Sequence, residues 1–316
     1  MSRVLLTGGT GFLGSHIADA LVAAGHDVLA SVRATSDTRW IDPLGVETTT
    51  VDLGRADESA IGSALAGIDA VVHCAGLTRA RSEAHFMAVN AGGTERLALA
   101  ARDAGARRFV FISSLAARGP DGATGPQSPY GRSKAEGERR LVELADDLDV
   151  VILRPGGVYG PRDNDMLPLF GLARRGLLVV PRSTNELQPV YVSDVVTATL
   201  GALEAPAPGE PLPIAHRERR SWGELAAALA AAVGRDGRLI RVPPRLFWTV
   251  GLLSEVGALA TRRPPAMDRR KADDLTIRRW TCDIAETERS LDWAPEVGLE
   301  EGLARTAAWY REEGWL

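Results

Sequence analysis

The stretch SPYGRSK, residues 128–134, sets a tyrosine and a lysine four positions apart, beside a proline and a glycine. On a helix that spacing stacks Tyr130 and Lys134 on one face, a phenol one turn from an ammonium. A phenol with a pKa near 10 is poorly poised to exchange its proton at neutral pH. Lowering that value by about 3 units takes about 4 kcal/mol of preferential stabilisation of the phenolate. A nearby cation supplies stabilisation of that kind. The pair is thus suited to moving a proton on or off an oxygen while its carbon gains or loses hydride.

Hydride chemistry needs a carrier, and the chain opens with a place for one. TGGTGFLG, residues 7–14, follows an apolar run and precedes a helical pattern. Gly8, Gly11 and Gly14 let the backbone approach a pyrophosphate, and a helix N-terminus offers unpaired N–H groups and partial positive charge. Between a first strand and a first helix, this spacing marks a dinucleotide site. At the end of the second strand an acidic residue would select NAD; the sequence instead reads LASVRATSD, with Arg33 at that point. An arginine pairs with a 2′-phosphate and stacks on adenine, so NADP(H) is favoured, with NAD(H) as the alternative. Asp52 and Leu53 close the third strand and are expected to flank the adenine.

The elements that must position these groups alternate. Apolar β-rich runs fall at 3–7, 27–33, 46–52, 69–76 and 108–114, with a last one in VVILRPGGVYG up to residue 160. Helical patterns lie between most of them, notably a first one closed by Gly25 and others at 85–105 and 131–148. Continuous apolar strands separated by helices predict an α/β fold, a Rossmann doubly wound parallel sheet covered on both faces. After Gly160 prolines, arginines and irregular apolar segments dominate. One strand is expected at 189–194, helices at 222–233 and 299–311, and a loop-rich connection around Pro206, Pro208, Pro211 and Pro213. The organisation expected is a dinucleotide-binding domain over 1–160, with a further strand near 189–203. A smaller interleaved C-terminal domain over 161–316 binds substrate.

Bulk properties narrow the class. With 316 residues, 45% hydrophobic, 25% charged and a net charge of −4, the chain is globular, and its charge balance suggests neither nucleic acid nor an anionic membrane as partner. No apolar run is long enough to span a bilayer. The nearest, LFWTVGLLSEVGALA at 246–260, reads as a buried helix or lid, with a membrane-surface helix as the sharper alternative. Two cysteines, Cys74 and Cys282, build no disulfide framework, and no signal peptide is evident, so a reducing cytoplasm is expected. His73 reads as a hydrogen-bonded core residue and His216 as loop surface; five histidines without ligand spacing predict no metal.

The motifs TGGTGFLG, DAVVHCAG, VNAGGT around Asn90, FISSLAARG, YGRSK and RPGGVYGP together resemble those of the extended short-chain dehydrogenases/reductases over nearly the whole chain. That resemblance implies a catalytic Ser114, Tyr130 and Lys134, with Asn90 supporting the active-site helix and its water chain. It implies cofactor contacts from Gly8, Thr10, Gly11, Phe12, Leu13 and Gly14, then Arg33, Asp52 and Leu53. Cys74, Ala75 and Gly76 follow, then Tyr130 and Lys134, then Pro155, Gly157 and Val158. Lys134 would both hold the nicotinamide ribose and acidify Tyr130, and Ser114 would orient the substrate oxygen. A homodimer through a four-helix bundle of the 85–105 and 131–148 helices is also implied.

Departures from subfamily patterns bear on the reaction. Where sugar-nucleotide dehydratases resemble one another in a Thr-Asp-Glu run, this chain has Ser114, Leu115 and Ala116, which removes the carboxyls of that elimination. Where epimerases typically carry a diphosphate-anchoring Asn it has Gly157. Leu187, Gln188 and Pro189 stand where an Arg-Asp-aromatic run is usual, leaving only arginines such as 162, 174, 175, 182 and 217 for phosphate. The pattern is more similar to dihydroflavonol-reductase and 3β-hydroxysteroid-dehydrogenase-like members. That resemblance implies hydride transfer to or from a ketone, aldehyde or secondary alcohol of an apolar small molecule. Leu77, Leu115, Val158, Tyr159, Met166, Leu167 and Phe170 are the expected pocket residues, capped by Phe247 and Trp248. A nucleotide-sugar epimerase is the alternative, and a non-catalytic cofactor sensor is disfavoured by the complete Ser, Tyr and Lys set.

Overall fold

A computed structural model describes residues 1–55, 57–120, 122, 124–182, 186–243, 245–246, 248–249, 251–252 and 279–316. The first half runs β1 (Arg3–Thr7), α1 (Phe12–Ala23), β2 (Asp27–Val32), β3 (Glu47–Thr50), α2 (Glu58–Ala64) and β4 (Ala70–His73). It continues with α3 (Glu83–Phe86), a π-helical stretch at Met87–Gly93, α4 (Thr94–Asp103), β5 (Arg108–Ile112), α5 (Leu115–Arg118), α6 (Pro129–Val142) and β6 (Asp149–Pro155). The second half holds β7 (Val158–Tyr159), α7 (Leu167–Arg174), β8 (Leu177–Pro181), β9 (Glu186–Leu187), β10 (Val190–Tyr191), α8 (Val192–Glu204) and β11 (Leu212–Ile214). It ends with β12 (Arg220–Ser221), α9 (Trp222–Ala232), β13 (Arg238–Val242), β14 (Arg279–Trp280), α10 (Ala285–Leu291) and α11 (Leu299–Glu312).

Seven strands form the main sheet in the order β11-β6-β5-β4-β1-β2-β3, and every pairing is parallel. This is the Rossmann-like α/β fold that the alternation predicts. The two-residue period of a strand divides the core cleanly. Val4 and Leu6 on β1, Val110 and Ile112 on β5, and Val151 and Leu153 on β6 join one apolar cluster. Their neighbours Leu5, Phe109, Phe111 and Ile152 join the other. Each such fully buried side chain contributes about 1.5–3 kcal/mol. Strand order reverses between β1 and β4, so the crevice at their C-terminal ends is where a doubly wound fold binds its ligand.

Two sequence expectations shift. The expected strand at 189–194 is only Val190–Tyr191, which pairs with β7 outside the main sheet; from Val192 the chain is helical. The seventh strand is instead β11, inside the proline-rich connection expected to be loop. Pro213 is tolerated there because β11 is an edge strand. The 85–105 helix is interrupted by the π-helical stretch around Asn90.

Helix α6 is anchored to the sheet through a buried charge. Glu138, 4% exposed, accepts three hydrogen bonds from the Arg154 guanidinium on β6, of 2.9, 3.2 and 2.5 Å, and one from Ser113. Removing one partner of such a pair strands the other. Glu138→Ala is expected to cost about 3–5 kcal/mol, read as a lower urea midpoint. The double variant Glu138→Met/Arg154→Met is expected to recover most of that loss.

Candidate functional site

The β1–α1 turn is built for close approach. Gly8 has φ +75°, and a Cβ there would lie 2.6 Å from the Ala75 nitrogen; one on Gly14 would lie 2.0 Å from the Gly8 carbonyl oxygen. Only glycine permits the turn to fold onto itself and onto the loop after β4. Gly11 caps α1 without a side-chain hydrogen bond, and the first turn holds no acid. Its opening N–H groups therefore face the crevice unneutralised. Phe12 and Leu13 pack on the adjoining core. Cys74, Ala75 and Gly76 lie directly opposite, Cys74 N bonding the Thr7 carbonyl at 3.1 Å and Ala75 N the Thr7 Oγ1 at 3.2 Å. Burial pushes the Cys74 thiol up to about 11, so it is a neutral wall residue. A cradle that any side chain would fill, at a bare helix N-terminus, fits a dinucleotide pyrophosphate.

The flanks of the crevice follow the strand ends. Arg33 is exposed just after β2, its N–H bonded to Ser36 Oγ at 3.0 Å. Asp52 Oδ1 accepts from Gly54 N at 2.9 Å, which shapes the turn after β3. Leu53 is buried, and its carbonyl accepts from Arg96 at 2.6 Å. On the far side Pro155 ends β6, Gly157 is exposed, and Val158 pairs with Val190.

Why Tyr130 stands where it does is a matter of helix approach. Ser128 caps α6, accepting from Gly131 N at 3.1 Å, and Pro129 occupies the first helical position. A Cβ on Gly131 would lie 2.4 Å from the Ala116 carbonyl, so the first turn of α6 rests directly on the segment that begins at Ser114. That contact sets Tyr130 beside Ser114, whose hydroxyl opposes the rise that burial imposes on the phenol. Phe86 supports the ring from the side, centroids 6.2 Å apart.

Lys134, one turn on, is 3% exposed. Its Nζ donates to the Ile112 carbonyl at 2.8 Å and sits 4.6 Å over the Phe111 ring. Burial lowers its pKa to about 8, against the pull of Cys74 and Glu138 upward. Burial also raises Tyr130, with the Ser114 hydrogen bond as the one opposing influence. In the chain without cofactor, Lys134 is not among the groups that shift the phenol. The ammonium is engaged by a carbonyl and a ring, and desolvation of the phenol outweighs it.

Asn90, 1% exposed, clamps three segments together. Its Oδ1 accepts from Leu77 N at 2.7 Å, and its Nδ2 donates to the Leu77 carbonyl at 2.9 Å and to Ser133 Oγ at 3.0 Å. The π-helical turn opens the helix at this residue, a distortion common at functional sites. Behind it runs a chain of hydrogen bonds that sequence reading missed. Thr94 Oγ1 donates to the Asn90 carbonyl at 2.7 Å and so accepts from His73 Nε2 at 2.9 Å. His73 Nδ1 then accepts from Thr7 Oγ1 at 2.7 Å, and Thr7 accepts from Ala75 N. Burial lowers His73 to about 3, so this bridge stays neutral. Ser133 and Glu138 were also missed, although both lie on the buried face of α6 that Lys134 defines.

The expected pocket residues divide. Leu115 is buried beside Ser114, Leu77 is held by Asn90, and Met166 and Leu167 are half-buried at the start of α7. An ion pair from Arg79 to Asp165 draws the loop after β4 toward Met166. Tyr159 and Phe170 belong to the core: Tyr159 rests against Gly302 on α11, and Phe170 meets Tyr310 edge-on at 5.1 Å. Trp248 is exposed, and Phe247 lies outside the described residues, as does most of the 246–260 run. His216 is half-exposed and accepts from Glu218 N at 3.1 Å. Among the described residues no group of three or more His, Cys, Asp or Glu is placed to hold a metal ion, and no helix is long and apolar enough to cross a membrane.

The model of the NAD dependent epimerase/dehydratase family matches residues 4–215. The chain is 35% identical to a ceramide reductase of Caulobacter vibrioides, covering 99% of this chain and 96% of that one. It is 32% identical to a 2-alkyl-3-oxoalkanoate reductase of Stenotrophomonas maltophilia, covering 97% and 98% respectively. Among solved structures, MoeE5 in complex with UDP-glucuronic acid and NAD superposes with a TM-score of 0.75 at 25% identity, covering 98% of this chain and 99% of that one.

Gly14→Ala tests the cradle. The added methyl has nowhere to go, so dinucleotide affinity is expected to fall about a hundredfold or more, since lost charge-assisted bonds cost 1.5–3 kcal/mol each. Fluorescence titration with NADPH reads the loss, and circular dichroism checks that the sheet is retained.

Proposed function

Since the chain belongs to the NAD dependent epimerase/dehydratase family, we propose that it is a reductase acting on the carbonyl group of an apolar, alkyl-chain molecule, with NADP(H) favoured. The observation that carries this reading is Tyr130 set beside Ser114 at the start of α6, one helical turn from buried Lys134. The bound nicotinamide supplies the hydride. Ser114 orients the carbonyl oxygen and Tyr130 donates its proton. Burial keeps that phenol protonated at neutral pH, the form a reductase requires. Lys134, charged below about pH 8, holds the ribose side of the site. Asn90 fixes the loop and helix on which these groups ride.

The substrate class rests on what lines and what has left the crevice. A Cβ on Gly157 would meet nothing within 4 Å, so the epimerase asparagine is replaced by open space. Gln188 is spent internally, bonded to the His216 carbonyl at 2.9 Å and accepting from Cys282 N at 2.7 Å. Arg162 pairs with Asp19 at 2.8 Å and Arg217 with Glu288 at 2.6 Å, which takes both from the phosphate candidates. Two relatives carry reductase names, for ceramide and for 2-alkyl-3-oxoalkanoates. NADP(H) is supported by exposed Arg33 and by the lack of an acid at the end of β2. Sugar-nucleotide epimerisation is the second reading, favoured by the family match and by a UDP-glucose 4-epimerase of Mycolicibacterium smegmatis that is 30% identical. It would show as interconversion with no net change in absorbance at the nicotinamide band.

Three outcomes test the proposal. Long-chain 3-oxo compounds are expected to oxidise NADPH, and Tyr130→Phe to lower kcat/KM by about 10²–10⁴-fold while leaving NADPH affinity nearly unchanged. No oxidation with any carbonyl compound would overturn the reading. Because burial depresses the Lys134 pKa, its charge is lost as pH rises through about 8. The reduction kcat/KM is expected to decline above that pH, whereas a profile flat to high pH would contradict the role. Arg33→Asp is expected to weaken NADPH about 10–100-fold relative to NADH, the worth of a charged hydrogen bond.

A further inference from the structure

Ser114 rides on a single helical turn, α5, whose near end it caps itself. Ala116 N bonds Ser114 Oγ at 3.2 Å, and Ala117 N bonds the Ser114 carbonyl at 3.0 Å. One turn closed by two such bonds has no ladder of its own to keep a direction. Its far end is Arg118, half-buried, and the chain turns away at Gly119, with φ +85°. A Cβ on Gly119 would lie 2.0 Å from the Gly125 carbonyl oxygen, and one on Gly122 would lie 2.4 Å from Arg118 Nε. The residues after α5 therefore close over the guanidinium. Arg118 Nη1 reaches past them and donates to the Thr281 carbonyl at 3.2 Å.

The Thr281 carbonyl and the Cys282 N–H belong to one peptide group, and its other side is gripped as well. Cys282 N donates to Gln188 Oε1 at 2.7 Å, and Gln188 Nε2 donates to the His216 carbonyl at 2.9 Å. Gln188 is 4% exposed, and its two partners, one donor and one acceptor, admit only this orientation of the amide. Local sequence explains why a side chain is used here. Strand β14 follows β9 in parallel as far as Trp280 beside Leu187, and Pro189 has no N–H to carry a ladder on. The Gln188 carbonyl lies against Gly156, where a Cβ would be 3.2 Å away, and Val190 N bonds the Gly157 carbonyl at 3.0 Å. Gly156 and Gly157 follow β6, the neighbour of the strand β5 from which Ser114 emerges.

A ring of contacts thus closes: Ser114, Arg118, the 281–282 peptide, Gln188, the turn after β6, and back through the β5–β6 pairing. Hydrogen bonds on both sides of one peptide polarise it and strengthen each other, the more so with a cation on the carbonyl. We infer that Arg118 and Gln188 are positioning residues, which clamp the end of α5 to the 281–282 segment and so aim Ser114 at the substrate oxygen. The inference rests on the reductase reading for the reaction that Ser114 serves, and on the ring itself for the clamp. It also gives the Leu-Gln-Pro run at 187–189 a use: the glutamine there braces the Ser114 turn.

Cys282 lets the clamp be read without substrate. Its thiol is 6% exposed, and burial pushes it up to about 11 against the pull of the Arg118 charge. Loss of that charge alone would make the thiol less reactive, so faster labelling reports opening. Maleimide labelling at Cys282, resolved from Cys74 by peptide mass spectrometry, is expected to speed up about tenfold in Arg118→Met and in Gln188→Leu, the worth of one such hydrogen bond. Arg118→Lys, which keeps a donor, is expected to restore most of the protection. In Arg118→Met, kcat for NADPH oxidation with a 3-oxo compound is expected to fall about tenfold, with NADPH affinity within about twofold, and to recover in Arg118→Lys. Adding Gln188→Leu to Arg118→Met is expected to lower kcat little further, since both break one link. Unchanged labelling in both variants would overturn the clamp whatever the reaction. Labelling that rises while kcat holds would overturn the positioning role. So would a kcat loss matched by an equal loss of NADPH affinity and not rescued by lysine. A chain that turns over no carbonyl compound fails at the reductase reading instead, and the labelling still decides the clamp.

Discussion

The contact on which the site depends is the approach of the first turn of α6 to the backbone that follows β5. With a Cβ on Gly131 only 2.4 Å from the Ala116 carbonyl, no other residue lets Tyr130 reach Ser114. From that contact the rest of α6 is registered by its period. Tyr130, Lys134 and Glu138 fall on successive turns of one face: the first at the crevice, the second over Phe111, the third in its pair with Arg154. The chemistry and the anchorage thus share one helix face, and a shift of either moves both.

The opposite wall is tied to the same helix by neutral groups. Asn90 joins Leu77 to Ser133, and the His73 bridge carries the connection back to Thr7, at the head of the glycine turn. Neutrality matters here. Burial holds the imidazole uncharged, so its two nitrogens keep one donor and one acceptor, and the directions of four hydrogen bonds follow from that tautomer. A charged histidine would donate at both nitrogens and break the order. The glycine turn and helix α6 are therefore tied together through neutral hydrogen-bonding groups.

Much of this was legible in the sequence because it depends on local rules. The alternation of apolar runs and helices gives the parallel sheet, and the glycine spacing gives the cradle. The four-residue interval gives the Tyr130 and Lys134 face. What escaped depends on distant partners. The seventh strand hid in LPI, which follows Pro211 and contains Pro213, since a three-residue edge strand has too few residues to display a period. Tyr159 and Phe170 looked like pocket residues because an aromatic ring near a motif carries no mark of which side it faces. Packing against Gly302 and Tyr310, more than a hundred residues away, decides it.

Burial acts on the two reactive groups in opposite chemical senses but toward the same end. It raises Tyr130 and lowers Lys134, so each is pushed toward its uncharged form. A tyrosinate–ammonium pair is thus not the resting state that the spacing alone suggested. Burial favours a neutral phenol, beside an ammonium that a carbonyl and a ring keep in place. Burial thus opposes charge on either group, while the Ile112 carbonyl and the Phe111 ring hold the Lys134 nitrogen beside the phenol.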